Sequence, residues 1–254
     1  MTTSPELDDN APPKALYLVS LHQQHIHNDD VRLIVSVEQS TPRPFPFSRI
    51  ARIVSGPNTQ WRGNAIAACL MRDIPIIWLD KANQPTGDAH PLYREGGPLH
   101  HDIHHYLDLP DSMERYANWR KSQRMNSITH LRDQGLLGWM DAARHTKDYV
   151  YKNTPRSQPS PIIRAACQSV VNRRLAELHT RTRYWGQEGQ PLELASDLAH
   201  ILTMEYHLAH PEQPQGQDRQ IHQFETWWKQ GRARLEHLLS NFRKHISNEV
   251  ESWL

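Results

Sequence analysis

Cysteine is nearly absent: Cys69 and Cys167 are the only two in 254 residues, and they are far apart. With no Cys-x-x-Cys pair, a cysteine-built zinc module is excluded, and both thiols, in apolar helical contexts, read as buried. Long apolar runs are missing too. None reaches the roughly 18–20 residues that a bilayer-spanning helix needs, so no membrane partner is expected. Residues 1–14 are polar and acidic without an apolar centre, which reads as a disordered leader rather than a signal peptide, and makes the cytoplasm the expected location. There is no glycine-rich phosphate loop and no Gly-x-Ser-x-Gly elbow, which sets aside P-loop nucleotide chemistry and the α/β-hydrolase nucleophile. Excess charge is lacking as well: the net value is +1, so this is no uniformly basic nucleic-acid binder.

What is present is a globular composition, 37% hydrophobic and 22% charged, in a chain long enough to bury a real core. Its charge is unevenly spread. Arg164, Arg173, Arg174, Arg181 and Arg183 crowd a stretch whose one acid is Glu177, and Arg115, Arg120, Lys121, Arg124 and Arg132 form a second strip. Such strips suit a phosphate backbone, and solvated helix faces look the same. Histidine is abundant, but the run His100-His101-Asp102-Ile103-His104-His105 has no cysteine beside it and reads as polar linker. His22, His25 and His27 are expected to face solvent, and Trp227-Trp228 to pack in the core or at an interface.

The first third reads as β-rich. Residues 15–21 (ALYLVSL) and 31–37 (VRLIVSV) are β-branched apolar runs around a polar turn ending Asn28-Asp29-Asp30, a hairpin signal. Residues 48–55 follow, with Ile50 and Ile53 alternating with basic side chains. Residues 63–72 show helical spacing, and 73–80 a short buried strand closed by Gln84-Pro85-Thr86-Gly87. From about residue 110 the pattern is helical. Helices are expected over 112–131, capped near Asp111-Ser112; over 138–150; from Ser160-Pro161, capped by the serine, to about 179; from Pro191; and over 218–253. The fold class is therefore α+β: a small N-terminal β-domain over 15–90, a linker over 91–110, and a larger all-α domain over 111–254.

Three segments carry a family resemblance. Gly189-Gln190-Pro191-Leu192, followed by Asp197 and His200, resembles the segment that closes the active site of the CRISPR-associated spacer-acquisition integrases. The strand-and-turn "IPIIWLD…QPTG" is similar to the end of that family's first domain, and residues 113–131 to its first long helix. The likeness covers roughly 16–208. It implies a β-domain that dimerises, a helical domain that binds double-stranded or branched DNA, a small ferredoxin-like adaptation partner, and insertion of short DNA fragments into a CRISPR array.

Phosphoryl transfer of this kind needs a divalent ion on hard oxygen ligands, Mg²⁺ or Mn²⁺, to neutralise the phosphate and orient a 3′-hydroxyl. The family supplies a glutamate in a Gly-Ile-Glu-Gly turn, a histidine before the Gly-x-Pro turn, and an acid on the helix after it. By resemblance those positions fall on Asp141, with Tyr149 eight residues on, on Gln187, and on His200, with Asp197 retained one turn earlier. Asp141, Gln187 and His200 make a poor magnesium set, because an amide is a weak ligand and imidazole prefers softer ions. The resemblance so altered implies a DNA-binding member whose metal chemistry is weakened or lost, with no cofactor where it is lost; Arg164, Arg173, Arg174, Arg181 and Arg183 would grip the DNA. The alternative is an active integrase or endonuclease with a rearranged metal site. In that case Asp141 with His145, and Asp197 with His200, each one helical turn apart, would take Mn²⁺ or Zn²⁺, with Glu188 in support. A host protein that only shares the fold is the third reading.

Overall fold

The computed structural model describes residues 12–38, 40–89, 97–152, 160–180, 192–212 and 214–253. Most of the expected leader lies outside them, as do Arg181, Arg183, Gln187, Glu188 and Pro191.

The N-terminal part builds two sheets. One has the order β1 (Lys14–Leu18), β5 (Ile50–Ser55), β7 (Ile76–Leu79), β8 (Pro85–Ala89); the other runs β4 (Arg43–Pro46), β3 (Arg32–Val37), β2 (Gln24–Asn28), β6 (Thr59–Trp61). The expected hairpin between 15–21 and 31–37 is corrected here. β3 pairs antiparallel with β2, whereas β1 leaves for the other sheet and lies parallel to β5. The strand β2 reads Gln-His-Ile-His-Asn, with one apolar residue, so composition hides it; its alternation survives in the burial of Gln24 and Ile26. Of the three early histidines, His22 and His25 are exposed and His27 is half-buried within β2.

Between the sheets, with helix α1 (Gly63–Leu70), lies a core of Leu18, Ile26, Leu33, Val35, Ile53, Cys69 and Ile76. The opposite face of β5 and β7 contributes Val54, Ile77 and Leu79 to a second and larger core shared with the helices, above all with α5 (Pro161–Glu177). Because it is covered on both faces, every residue of β5 is buried, Arg52 included. Arg52 therefore does not face water as its alternation with Ile50 and Ile53 suggests. Its Nε donates to Ser169 Oγ (2.8 Å) and its Nη2 to Glu225 (2.6 Å), which also accepts from the Tyr17 hydroxyl (2.7 Å).

The second correction concerns the linker. Within it, Pro98–Leu107 is a helix, α2, that packs on the long C-terminal helix α7 (Gln217–Glu251) and buries Leu99, His100, Ile103, Tyr106 and Leu107. Polar histidines mask the stripe, yet the buried positions keep a helical spacing. The preceding Gly97 sits so close to the end of α5 that an added Cβ would fall 2.4 Å from the Leu178 carbonyl oxygen. Gly97→Ala should therefore cost about 2 kcal/mol in urea unfolding, because backbone has to move to relieve the overlap. An unchanged unfolding midpoint would show that α2 docks without that close approach.

The remaining helices are α3 (Ser112–Asp133), α4 (Trp139–His145), which runs on as a π-helical turn Thr146–Tyr151, and α6 (Leu194–Ala209). Neither expected cap forms: Asp111 adopts a left-handed conformation, and the Ser160 hydroxyl donates instead to Gln220 on α7 (2.6 Å). On α7, Trp227 and Trp228 are half-buried against the large core, Trp227 with its ring 5.4 Å from that of Tyr206. Cys69 and Cys167 are buried free thiols, and burial pushes each up to about 12. Among the described residues no helix is long and apolar enough to cross a membrane.

Candidate functional site

Two helices face each other across the candidate site. Along α3 the residues Tyr116, Arg120 and Arg124 recur at four-residue spacing and so share one face. On α6, Asp197 lies in the first turn and His200 one turn further on. The Asp197 carboxylate is buried and both its oxygens are taken: Oδ2 accepts from the Tyr116 hydroxyl (2.8 Å), and Oδ1 from Arg120 Nη1 (2.7 Å). The Arg120 guanidinium also lies over the Tyr116 ring, 5.3 Å from its centroid. Burial works against the Arg120 cation, but Asp197, Tyr116 and Glu193 outweigh it and raise its pKa. Tyr116 stays protonated, since burial first and Asp197 second push its pKa well up.

His200 sits in a strongly positive setting. Burial, Arg124, Arg164 and Arg120 together pull its pKa down to about 4 against the opposing pull of Asp197, so the ring is a neutral imidazole near pH 7. Its Nε2 is buried without a hydrogen-bond partner among the described residues, as is Arg120 Nε. Arg124 arrives from α3 and is tethered by Nη1 to the Tyr149 carbonyl of the π-helical turn (3.2 Å). Arg164, in the first turn of α5, is tethered to the Gln84 side chain (3.0 Å).

Asp141 lies elsewhere. It is exposed in the first turn of α4 and ion-paired with Arg144 at 2.7 Å. Its helical neighbour His145 is lowered by burial and Arg144, is 6.0 Å ring to ring from Tyr149, and acts on His207. The structure thus brings Asp197 and His200 together, and Asp141 with His145, as two separate neighbourhoods. Among the described residues no group of three or more His, Cys, Asp or Glu side chains is placed to hold a metal ion. The donor set also fits one badly: Asp197 is fully engaged by a cation and a hydroxyl, and the nearby guanidinium charges repel a dication from His200.

The arginines expected to contact DNA are spread out and engaged. Arg173 pairs with Glu177 (3.0 Å) and donates to the Ala51 carbonyl, joining α5 to β5, while Arg174 bridges Glu177 and Glu236. In the second strip, Arg115 pairs with Glu249 and Arg132 with Asp133. Sequence reasoning overlooked Tyr116, and it saw Arg120 and Arg124 only as parts of a basic strip. The signal was available: an i, i+4, i+8 row of one tyrosine and two arginines on an otherwise amphipathic helix.

The family model for CRISPR associated protein Cas1 matches residues 17–193. Among solved structures, a Cas1 protein from Thermotoga maritima is similar with a TM-score of 0.70 at 11% identity, covering 92% of this chain and 96% of that one. The protein in a TtCas1–DNA complex has a TM-score of 0.63 at 11% identity, with 92% and 91% covered. The crystal structure of TtCas1 has a TM-score of 0.57 at 9% identity, with 91% and 97% covered. At these identities the likeness is one of fold. No match is found among the curated proteins.

Proposed function

Since the chain belongs to the CRISPR-associated Cas1 family, we propose that it serves in spacer acquisition as a DNA-binding subunit whose metal-dependent strand-transfer chemistry is weakened or lost. The observation that carries this reading is the state of Asp197: the retained carboxylate is closed off by Arg120 and Tyr116, where a catalytic ion would need free oxygen ligands. The fold shared with a protein solved in complex with DNA supports DNA as the ligand. In this role the protein holds double-stranded or branched DNA for an active paralogue, pairs with a small ferredoxin-like adaptation protein, and dimerises through its N-terminal sheets.

A branched DNA substrate, offered in Mg²⁺ and in Mn²⁺ with binding recorded in each sample, tests the reading. Expected are binding without cleaved or joined product in either metal, no effect of Asp141→Ala on that outcome, and an affinity that falls steeply between low and moderate salt. Turnover that disappears on Asp141→Ala would instead establish a working, rearranged Asp/His site. A flat salt dependence would sink the backbone-phosphate mode of binding.

A further inference from the structure

We propose that the cavity between β1, α5 and α7 binds a nucleoside monophosphate, with the phosphate held by Arg52, Lys14, Lys229 and Arg232 and the base laid against Trp228. The inference does not depend on the DNA-binding reading and uses none of the residues around Asp197 and His200.

Where β1 and β5 meet α5 and α7 they leave a cavity of about 330 Å³, the size of a small-molecule site. The most buried charge in its lining is Arg52, 5% exposed. Two nitrogens of its guanidinium are committed, Nε to Ser169 Oγ (2.8 Å) and Nη2 to Glu225 (2.6 Å). Nη1 makes no hydrogen bond among the described residues and is the donor left to the cavity. A guanidinium clamped at two points keeps its third direction fixed, so little freedom is lost when an acceptor arrives.

Charge around the cavity is in surplus of one sign. Its three acids are each already paired: Glu225 with Arg52, Glu177 with Arg173 (3.0 Å), and Glu236 with Arg174 (2.9 Å). Three more cations share the lining, Lys14 at the start of β1, and Lys229 and Arg232 one turn apart on α7. All three are exposed, and none is ion-paired among the described residues. A phosphate monoester answers that surplus better than one carboxylate does, since it carries about two negative charges near pH 7 and several acceptor oxygens.

Opposite this charge the lining is apolar. Val170 and Leu235 are buried, and Trp228 beside them is half-buried and presents an indole. Stacking on an aromatic side chain suits any base, because every base has a π-face. A bare anion would leave this wall wet, and a neutral ring would leave the cations unanswered. Ring and phosphate together describe a nucleotide. The site holds its ligand; no bond is made or broken.

Two sources offer such a group, a free mononucleotide or the 5′-phosphorylated end of a DNA strand. The full chain is titrated with dAMP by isothermal titration calorimetry, and with deoxyadenosine and inorganic phosphate, which each carry half of the ligand. Saturable binding of dAMP is expected, with each half at least about tenfold weaker. Lys229→Gln with Arg232→Gln removes two exposed charges without touching the core, and should weaken dAMP binding about tenfold. Trp228→Leu should weaken it by a similar factor, about tenfold. Arg52 is left in place, since its loss would break the buried pair with Glu225. A DNA hairpin with a 5′-terminal phosphate is then offered in competition: displacement of dAMP makes the strand end the ligand, and none makes it the free nucleotide.

Failure to bind dAMP overturns the site, as does binding that the charge variant leaves unchanged. Inorganic phosphate that binds as tightly as dAMP overturns the nucleotide assignment. Should Trp228→Leu fail to fold by circular dichroism, that comparison of dAMP with phosphate on the wild-type chain decides whether the base is held.

Discussion

Arg52→Met should destabilise the protein by about 3 kcal/mol in urea unfolding, since it leaves the Glu225 carboxylate without its cation at a seam closed from both sides. Arg52 is 5% exposed and links strand β5 to α5 through Ser169 and to α7 through Glu225. Methionine keeps most of the volume, so the cost is electrostatic rather than a cavity. Glu225 retains the Tyr17 hydroxyl and some solvent, which holds the loss at the lower end for a broken buried pair. The second half of the test is a rescue. Replacing both partners, Arg52→Met with Glu225→Leu, should recover most of the stability, because a buried ion pair and a well-packed apolar pair of similar size are nearly equivalent. If the single variant unfolds at the wild-type denaturant concentration, the seam is held by apolar packing alone.

Acid should weaken the fold through His200, by about 3 kcal/mol between pH 6.5 and 4. In the unfolded chain this ring takes up a proton near its ordinary 6.5, and in the folded chain only near 4. Throughout that window the unfolded state binds more protons, so stability falls as pH drops, by about 1.4 kcal/mol per pH unit. The contribution is complete above the unfolded pKa and gone below the folded one. Burial is the largest cause; after it Arg124 and Arg120 from α3 and Arg164 from α5 oppose protonation, and Asp197 on the same helix favours it. His145, His207 and His245 are lowered in the same direction, with burial the largest cause for each, and they steepen the overall slope. Urea unfolding at pH 7.5 and 4.5 measures the whole effect, and His200→Asn isolates its share. A variant with the same pH slope as wild type would mean that solvent reaches the ring freely.

How much of this was legible beforehand depended on whether a local pattern carried the information. Residues 15–21 and 31–37 announce strands because several β-branched side chains stand together; Gln24–Asn28 does not, because one isoleucine pins it. The helix Pro98–Leu107 was missed for a similar reason, its buried Leu99, Ile103, Tyr106 and Leu107 being separated by histidines that read as solvated. The Gly-x-Pro turn with Asp197 and His200 was recognisable as a motif. The partners of Asp197 were not, since Tyr116 and Arg120 lie 81 and 77 positions away.

The sequence by itself determined the order of the parts, β-rich then helical, the lack of an apolar run long enough to span a bilayer, and the family. All of these are written in nearest-neighbour chemistry: side-chain periodicity, turn residues, and residue type within a short motif. Tertiary structure alone decided that β1 joins β5 rather than β3, that Arg52 is buried, and that Asp197 meets an arginine and a tyrosine while His200 is buried in the field of three arginines. Those outcomes depend on which surfaces exclude water together once distant segments pack. A charged side chain takes its protonation state and its partner from that shared environment, not from its neighbours along the chain.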